Sequence, residues 1–140
     1  MKKRENYRAA YHGFDVTRIA LYTVKDQARL LANAGIVRNR LKVAAAVLNA
    51  RAFLAVQAES GSFERYLWAF VGGRPIQHNL KSHTRIPVRT AESDALSQDL
   101  KLRGFKFVGT TICYAFMQAT GMVNDHLVTC PRHRECAKLL

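Results

Sequence analysis

Apolar residues recur every three or four positions along most of this chain, and glycine closes one such segment after another. That spacing places them on one side of an α-helix, whereas the alternating runs and hairpin turns that strands need are scarce. An all-α fold is expected. One helix is expected over 23–33, with Gly35 beyond it as a left-handed cap. A longer one over 38–58 carries Leu41, Ala45, Leu48, Ala52 and Ala55 on one stripe, its alanines allowing a neighbour to pack closely. Ser62 caps a third over 63–71, which ends at Gly72 and Gly73 and contains Trp68 as a core residue. Thr90 or Ser93 opens a fourth over 91–103, ended by Gly104. The last, over 110–120, carries Ile112, Ala115, Phe116 and Ala119 and closes at Gly121. Between 74 and 90, Pro75, Pro87, His78, His83 and several basic residues mark a surface loop.

The chain's 140 residues, 49% of them hydrophobic, suffice for one cored domain. Lys and Arg number 22 against 10 acids, a net charge of +12 that suits a polyanionic partner. The charge is also segregated. No acid lies between Asp26 and Glu59, where Arg29, Arg38, Arg40, Lys42 and Arg51 fall, nor between Glu64 and Glu92, where Arg65, Arg74, Lys81, Arg85 and Arg89 fall. Lys101, Arg103 and Lys106 form a third basic stretch. Any one of these residues can simply solvate a helix face. Three such stretches together favour phosphate as the partner. No run of 18 apolar residues and no signal peptide is evident, so a soluble, cytoplasmic protein with no membrane partner is expected. Cys113, Cys130 and Cys136 are too few for a disulfide framework.

The most informative local stretch is Leu102-Arg103-Gly104-Phe105-Lys106-Phe107-Val108-Gly109-Thr110-Thr111, where one helix ends at a glycine and another begins at one. Gly104 can take positive φ, and Gly109 admits a close backbone approach. The amides of Gly109, Thr110 and Thr111, at the positive end of the next helix, would hold one anion. Phe105, Phe107 and Val108 would anchor the turn, with Arg103 and Lys106 adding charge. This is the spacing of a helix-hairpin-helix, a clamp on the DNA backbone without sequence preference. It also suits an ordinary glycine-capped turn.

Over residues 1–130 the chain resembles the DNA-3-methyladenine glycosylase I family. The resemblance is carried by Lys2-Lys3-Arg4-Glu5-Asn6-Tyr7-Arg8-Ala9, by Ala34-Gly35-Ile36-Val37-Arg38 and by Ser93-Asp94-Ala95-Leu96-Ser97. It is carried above all by Arg103-Gly104-Phe105-Lys106-Phe107-Val108-Gly109-Thr110-Thr111-Ile112-Cys113-Tyr114 and Val123-Asn124-Asp125-His126. It implies an all-helical domain of the helix-hairpin-helix glycosylase superfamily over 1–130, followed by a basic tail over 131–140. It also implies excision of 3-methyladenine from alkylated double-stranded DNA by hydrolysis, in base excision repair, by a monomer. Arg103, Gly104, Lys106, Gly109, Thr110 and Thr111 would then bind DNA.

His126 and Cys130, four apart, would share one face of a helix, and imidazole and thiolate are ligands zinc prefers. In the family these positions complete a structural zinc site with a cysteine and a histidine from an N-terminal segment. This sequence is expected to begin after that segment, leaving half a site. The nearby His133 and Cys136 do not follow the family pattern. The family's base-stacking aromatics and its base-binding glutamate are likewise expected to precede Met1, so no catalytic residue is assigned. An inactive remnant that only binds the DNA backbone is the alternative. By superfamily analogy Thr111 stands where bifunctional relatives carry a nucleophilic lysine, which leaves simple hydrolysis. Asn124 best matches the place of a catalytic aspartate; Asp125 beside it is a candidate for that acid, with the N-cap of a helix leading into His126 as its expected role.

Overall fold

The computed structural model describes residues 3–138, which form eight α-helices and one short two-stranded sheet. The chain divides into two compact units: one runs up to Ser62 and includes Arg103–Phe107, the other holds Phe63–Leu102 and the chain from Val108 onward.

The first unit contains α1 (Arg4–Ala10), α2 (Val16–Ala20), α3 (Val24–Ala32) and α4 (Arg40–Ser60). The two short helices at its start were not legible from periodicity, because one or two turns present too few apolar positions. A cap defines α2, where Asp15 accepts the Arg18 amide at 3.0 Å, whereas α1 has no side-chain cap; Thr23 and Asp26 cap α3 reciprocally. Gly35 does not cap α3 in the left-handed region. Asn33, with φ −79° and ψ 107°, ends that helix, and a Cβ at Gly35 would lie 3.0 Å from Asn33 Oδ1 and 3.1 Å from Asn6 Nδ2. That glycine answers a close approach.

The expected stripe on α4 is also corrected. Leu41 and Leu48 are 71% and 44% exposed, while Val43, Ala45, Val47, Ala50 and Val56 are buried. The helix is apolar on nearly every side, so spacing alone could not choose its inner face. Packing on α2 and α3 chooses it, through a cluster of Ile19, Ala20, Leu30, Val43, Val47 and Ala50. By length and composition α4 could cross a membrane; here its Val43, Val47 and Ala50 join the core cluster of its unit. Two arginines of the first acid-free stretch serve this unit's architecture. Arg29 donates to the Ala10 carbonyl at 3.1 Å and Arg51 to that of Ala20 at 2.8 Å, each satisfying an oxygen at a helix end.

The second unit contains α5 (Phe63–Ala69), β1 (Ile76–Gln77), α6 (Ala91–Leu102), α7 (Thr110–Ala119), β2 (Val123–Asn124) and α8 (Pro131–Ala137). Strands β1 and β2 are parallel, with Ile76 opposite Val123. Two-residue strands leave no alternation to read. They pin the expected surface loop, as do bonds from the His78 amide to the Asn124 carbonyl and from the Val128 amide to that of Leu80. Thr90 and Ser93 bond each other's amides at the start of α6, so both expected caps act together. On α7 the buried residues are Cys113, Tyr114 and Met117, whereas Ile112 and Phe116 are 61% and 41% exposed. The expected apolar row is therefore the outer one. The segment expected as a basic tail forms α8, where the His133 carbonyl accepts from Asn124 Nδ2 at 3.0 Å and its ring bonds the His78 carbonyl at 3.2 Å.

Candidate nucleic-acid interface

The second unit holds the opening of α7. Val108 is fixed from behind: its carbonyl accepts from Ser97 Oγ at 2.6 Å and from Cys113 Sγ at 3.5 Å. The chain then turns outward through Gly109, the N-cap residue, at φ −63° and ψ 155°. No side chain caps this helix, and among the described residues the amides of Gly109, Thr110 and Thr111 have no acceptor. A Cβ at Gly109 would meet nothing within 4 Å, so the approach is open. Free N–H groups and the positive end of a helix of ten residues then face one place where an anion fits. The Thr110 hydroxyl points to the protein, bonded to Asp94 and 3.0 Å from Ser93 Oγ. Asp94 also accepts from Arg89 at 2.6 Å. Those bonds, from Arg89 and then Thr110, hold the Asp94 carboxyl below its usual range. The sequence marks Arg89 only as one of a basic stretch, and Asp94 and Ser97 only within a family segment; the fold alone brings them to α7.

The preceding residues, Arg103–Phe107, belong to the first unit and are held there separately. Gly104 has the expected positive φ, at 90°. Phe105 is buried, but Phe107 is 55% exposed with φ 60°, so it does not anchor the turn. A bulky residue in that region is strained. The strain is carried by Asn49, whose side chain accepts the Lys106 amide at 2.8 Å and donates to the Lys106 carbonyl at 3.1 Å. Lys106 itself is exposed. Arg103 forms a forked pair with Glu59, at 2.6 and 3.3 Å.

His126 and Cys130 lie on the turn between β2 and α8 and not on a helix, because Asn124 Oδ1 accepts the His126 amide at 3.3 Å and bends the chain there. They still converge, with Sγ 3.9 Å from Nδ1. Two ligands of one tetrahedral zinc stand about 3.6 Å apart, so the pair fits half of such a shell. No third His, Cys, Asp or Glu joins them among the described residues.

Asp125 caps nothing. Its side chain, 7% exposed, accepts from His78 Nδ1 at 2.5 Å, Tyr114 at 2.6 Å and Gln118 at 2.7 Å. Burial pushes this carboxyl up, and the three donors more than offset it, leaving it below the ordinary value. Burial, then the bond to Asp125, raises the Tyr114 phenol. Beside this network lies a cavity of about 460 Å³ lined by Trp68, Gln77, Asp125, His126 and Cys136 among others. Trp68, expected in the core, is half-buried on that wall.

A helical scaffold whose α7 presents unpaired amides to an anion, in a strongly basic chain, has the features of a backbone-binding nucleic-acid protein. Residues 1–133 match the methyladenine glycosylase family, and the chain belongs to it. It is 50% identical over 130 residues to DNA-3-methyladenine glycosylase 1 of Escherichia coli, covering 93% of this chain and 70% of that protein. To DNA-3-methyladenine glycosylase of Haemophilus influenzae it is 45% identical over 131 residues, covering 94% and 71%. A crystal structure of 3-methyladenine DNA glycosylase I superposes with a TM-score of 0.89 at 54% identity, covering 93% of this chain and 71% of that one. A crystal structure of a variant of another 3-methyladenine DNA glycosylase I, in complex with 3-methyladenine, gives 0.89 at 34% identity, covering 93% and 70%.

Proposed function

We propose that this protein is a DNA glycosylase that excises 3-methyladenine from alkylated double-stranded DNA by hydrolysing the N-glycosidic bond, acting as a monomer in base excision repair. Family membership supports the reaction. The observation in the molecule that carries the reading is the set of unpaired amides at Gly109, Thr110 and Thr111, which suits a phosphodiester. Lys106, Gly104 and Arg103, on the first unit, are proposed as further DNA-binding residues, Arg103 on condition that it leaves Glu59.

A purine methylated at N3 is cationic, so its glycosidic bond breaks to release a neutral base, and water adds at the sugar carbon with loss of a proton. The good leaving group reduces the demand for a strong base. Thr111 has no amine, so no Schiff base forms at that position, and hydrolysis is the route. Asp125 is committed to three internal donors and serves as scaffold. His126 and Cys130 are proposed as two ligands of a structural zinc, which would brace the turn after β2.

The test is release of 3-methyladenine from methylated duplex DNA, followed by chromatography of the free base. Release above the spontaneous rate is expected. A folded protein that binds the duplex and releases no base would refute the activity and leave DNA binding alone.

A further inference from the structure

One carboxylate serves two donors beside the opening of α7. Asp94 Oδ1 accepts the Thr110 hydroxyl, and Oδ2 accepts Arg89 Nη2 at 2.6 Å. Thr110 is the first residue of α7 and carries one of the unpaired amides. The Arg89 guanidinium is thus tied one carboxylate away from that place. The side chain remains 61% exposed. An arginine has five N–H donors in a rigid fork, and the bond to Asp94 engages one nitrogen of it, Nη2.

An acid beside an anion-binding helix end is unfavourable by Coulomb's law unless its charge is used. Here Arg89 and Thr110 use it. The pair adds no net charge, but it fixes a flexible arginine whose free edge has the geometry to take a phosphate oxygen. We propose that Arg89, positioned by Asp94, makes a second contact to the DNA sugar-phosphate chain next to the one made by the α7 amides. The inference rests on the DNA reading above and extends it to a residue that neither motif nor spacing marks.

The experiment is binding of an undamaged fluorescent duplex by anisotropy between 50 and 200 mM KCl. Losing one phosphate contact lowers the slope of log affinity against log salt by about 0.9, or about eight-fold in affinity at 0.1 M salt. Arg89→Ala is expected to show both changes, and Arg89→Lys to recover the slope. Because Arg89 is exposed, its removal leaves folding intact, which a urea transition verifies.

Asp94→Asn separates positioning from simple charge. Deleting an acid near DNA strengthens binding by Coulomb attraction alone, whereas loss of positioning weakens it towards the level of Arg89→Ala. The double variant should bind no more weakly than Arg89→Ala. An unchanged slope in Arg89→Ala, or tighter binding by folded Asp94→Asn, would overturn the proposal. A parent protein with no salt-dependent binding would remove the DNA reading and this inference with it, while a binding parent with an unaffected Arg89→Ala removes only the inference.

Discussion

Asp125→Asn keeps the shape of a side chain on which three donors converge and takes away its charge. An amide offers one acceptor oxygen and makes the other position a donor. Tyr114 and Gln118 both bond Oδ2 and His78 bonds Oδ1, so the amide oxygen keeps the first two and its N–H faces His78. His78, 26% exposed, regains water or accepts that N–H in its other tautomer. Tyr114, 1% exposed, keeps an acceptor without charge. A hydrogen bond to a charged group is worth about 1.5–3 kcal/mol and one between neutral groups about 0.5–1.5 kcal/mol. The expected loss of stability is therefore about 1–3 kcal/mol, shared among the three bonds. Tyr114→Phe should cost about 1 kcal/mol less in a protein already carrying Asp125→Asn than in the parent, a coupling of about 1 kcal/mol.

Trp68 is the only tryptophan and lies in the same unit, so its fluorescence during urea unfolding reports the effect. The pH dependence has a definite sign. The folded carboxyl lies below its unfolded value, so its stabilisation is present above about pH 4 and is lost as pH falls through the folded pKa. Acidification should destabilise the parent more steeply than Asp125→Asn. If the variant kept its urea midpoint and lost base release, Asp125 would be a group that acts on the substrate, and the scaffold argument would be wrong.

Gly109→Ala tests the α7 opening. Its φ of −63° suits alanine and the added methyl meets nothing, so stability should hold or rise by about 0.4–1 kcal/mol while affinity for duplex DNA falls; unchanged affinity would contradict a close phosphate approach there. Zinc binding is expected to be weak, since among the described residues no third ligand joins His126 and Cys130, and Cys130→Ser should lower it further. A zinc titration in which Cys130→Ser matches the parent would place the metal elsewhere.

Much of this protein is written locally. Helix identity over 91–102 and 110–119, the Thr90–Ser93 and Thr23–Asp26 caps and the left-handed Gly104 follow from residue types and short spacings. So does the candidate anion site, because a glycine at the start of a helix leaves its amides without a side-chain cap whatever surrounds it. Facing, pairing and burial are decided only by residues distant in sequence. The alanine- and valine-rich α4 has no preferred side until α2 and α3 pack on it. His126 and Cys130 meet through a turn bent by Asn124, not through helical spacing. Asp125 becomes a hub because the β1–β2 pairing brings His78 to it across 47 positions. Arg89 becomes a candidate DNA contact only where α6 and α7 meet. Local energetics select conformations a few residues at a time, whereas the partner of a charge or the inner face of an apolar helix is set by whichever distant surface arrives against it.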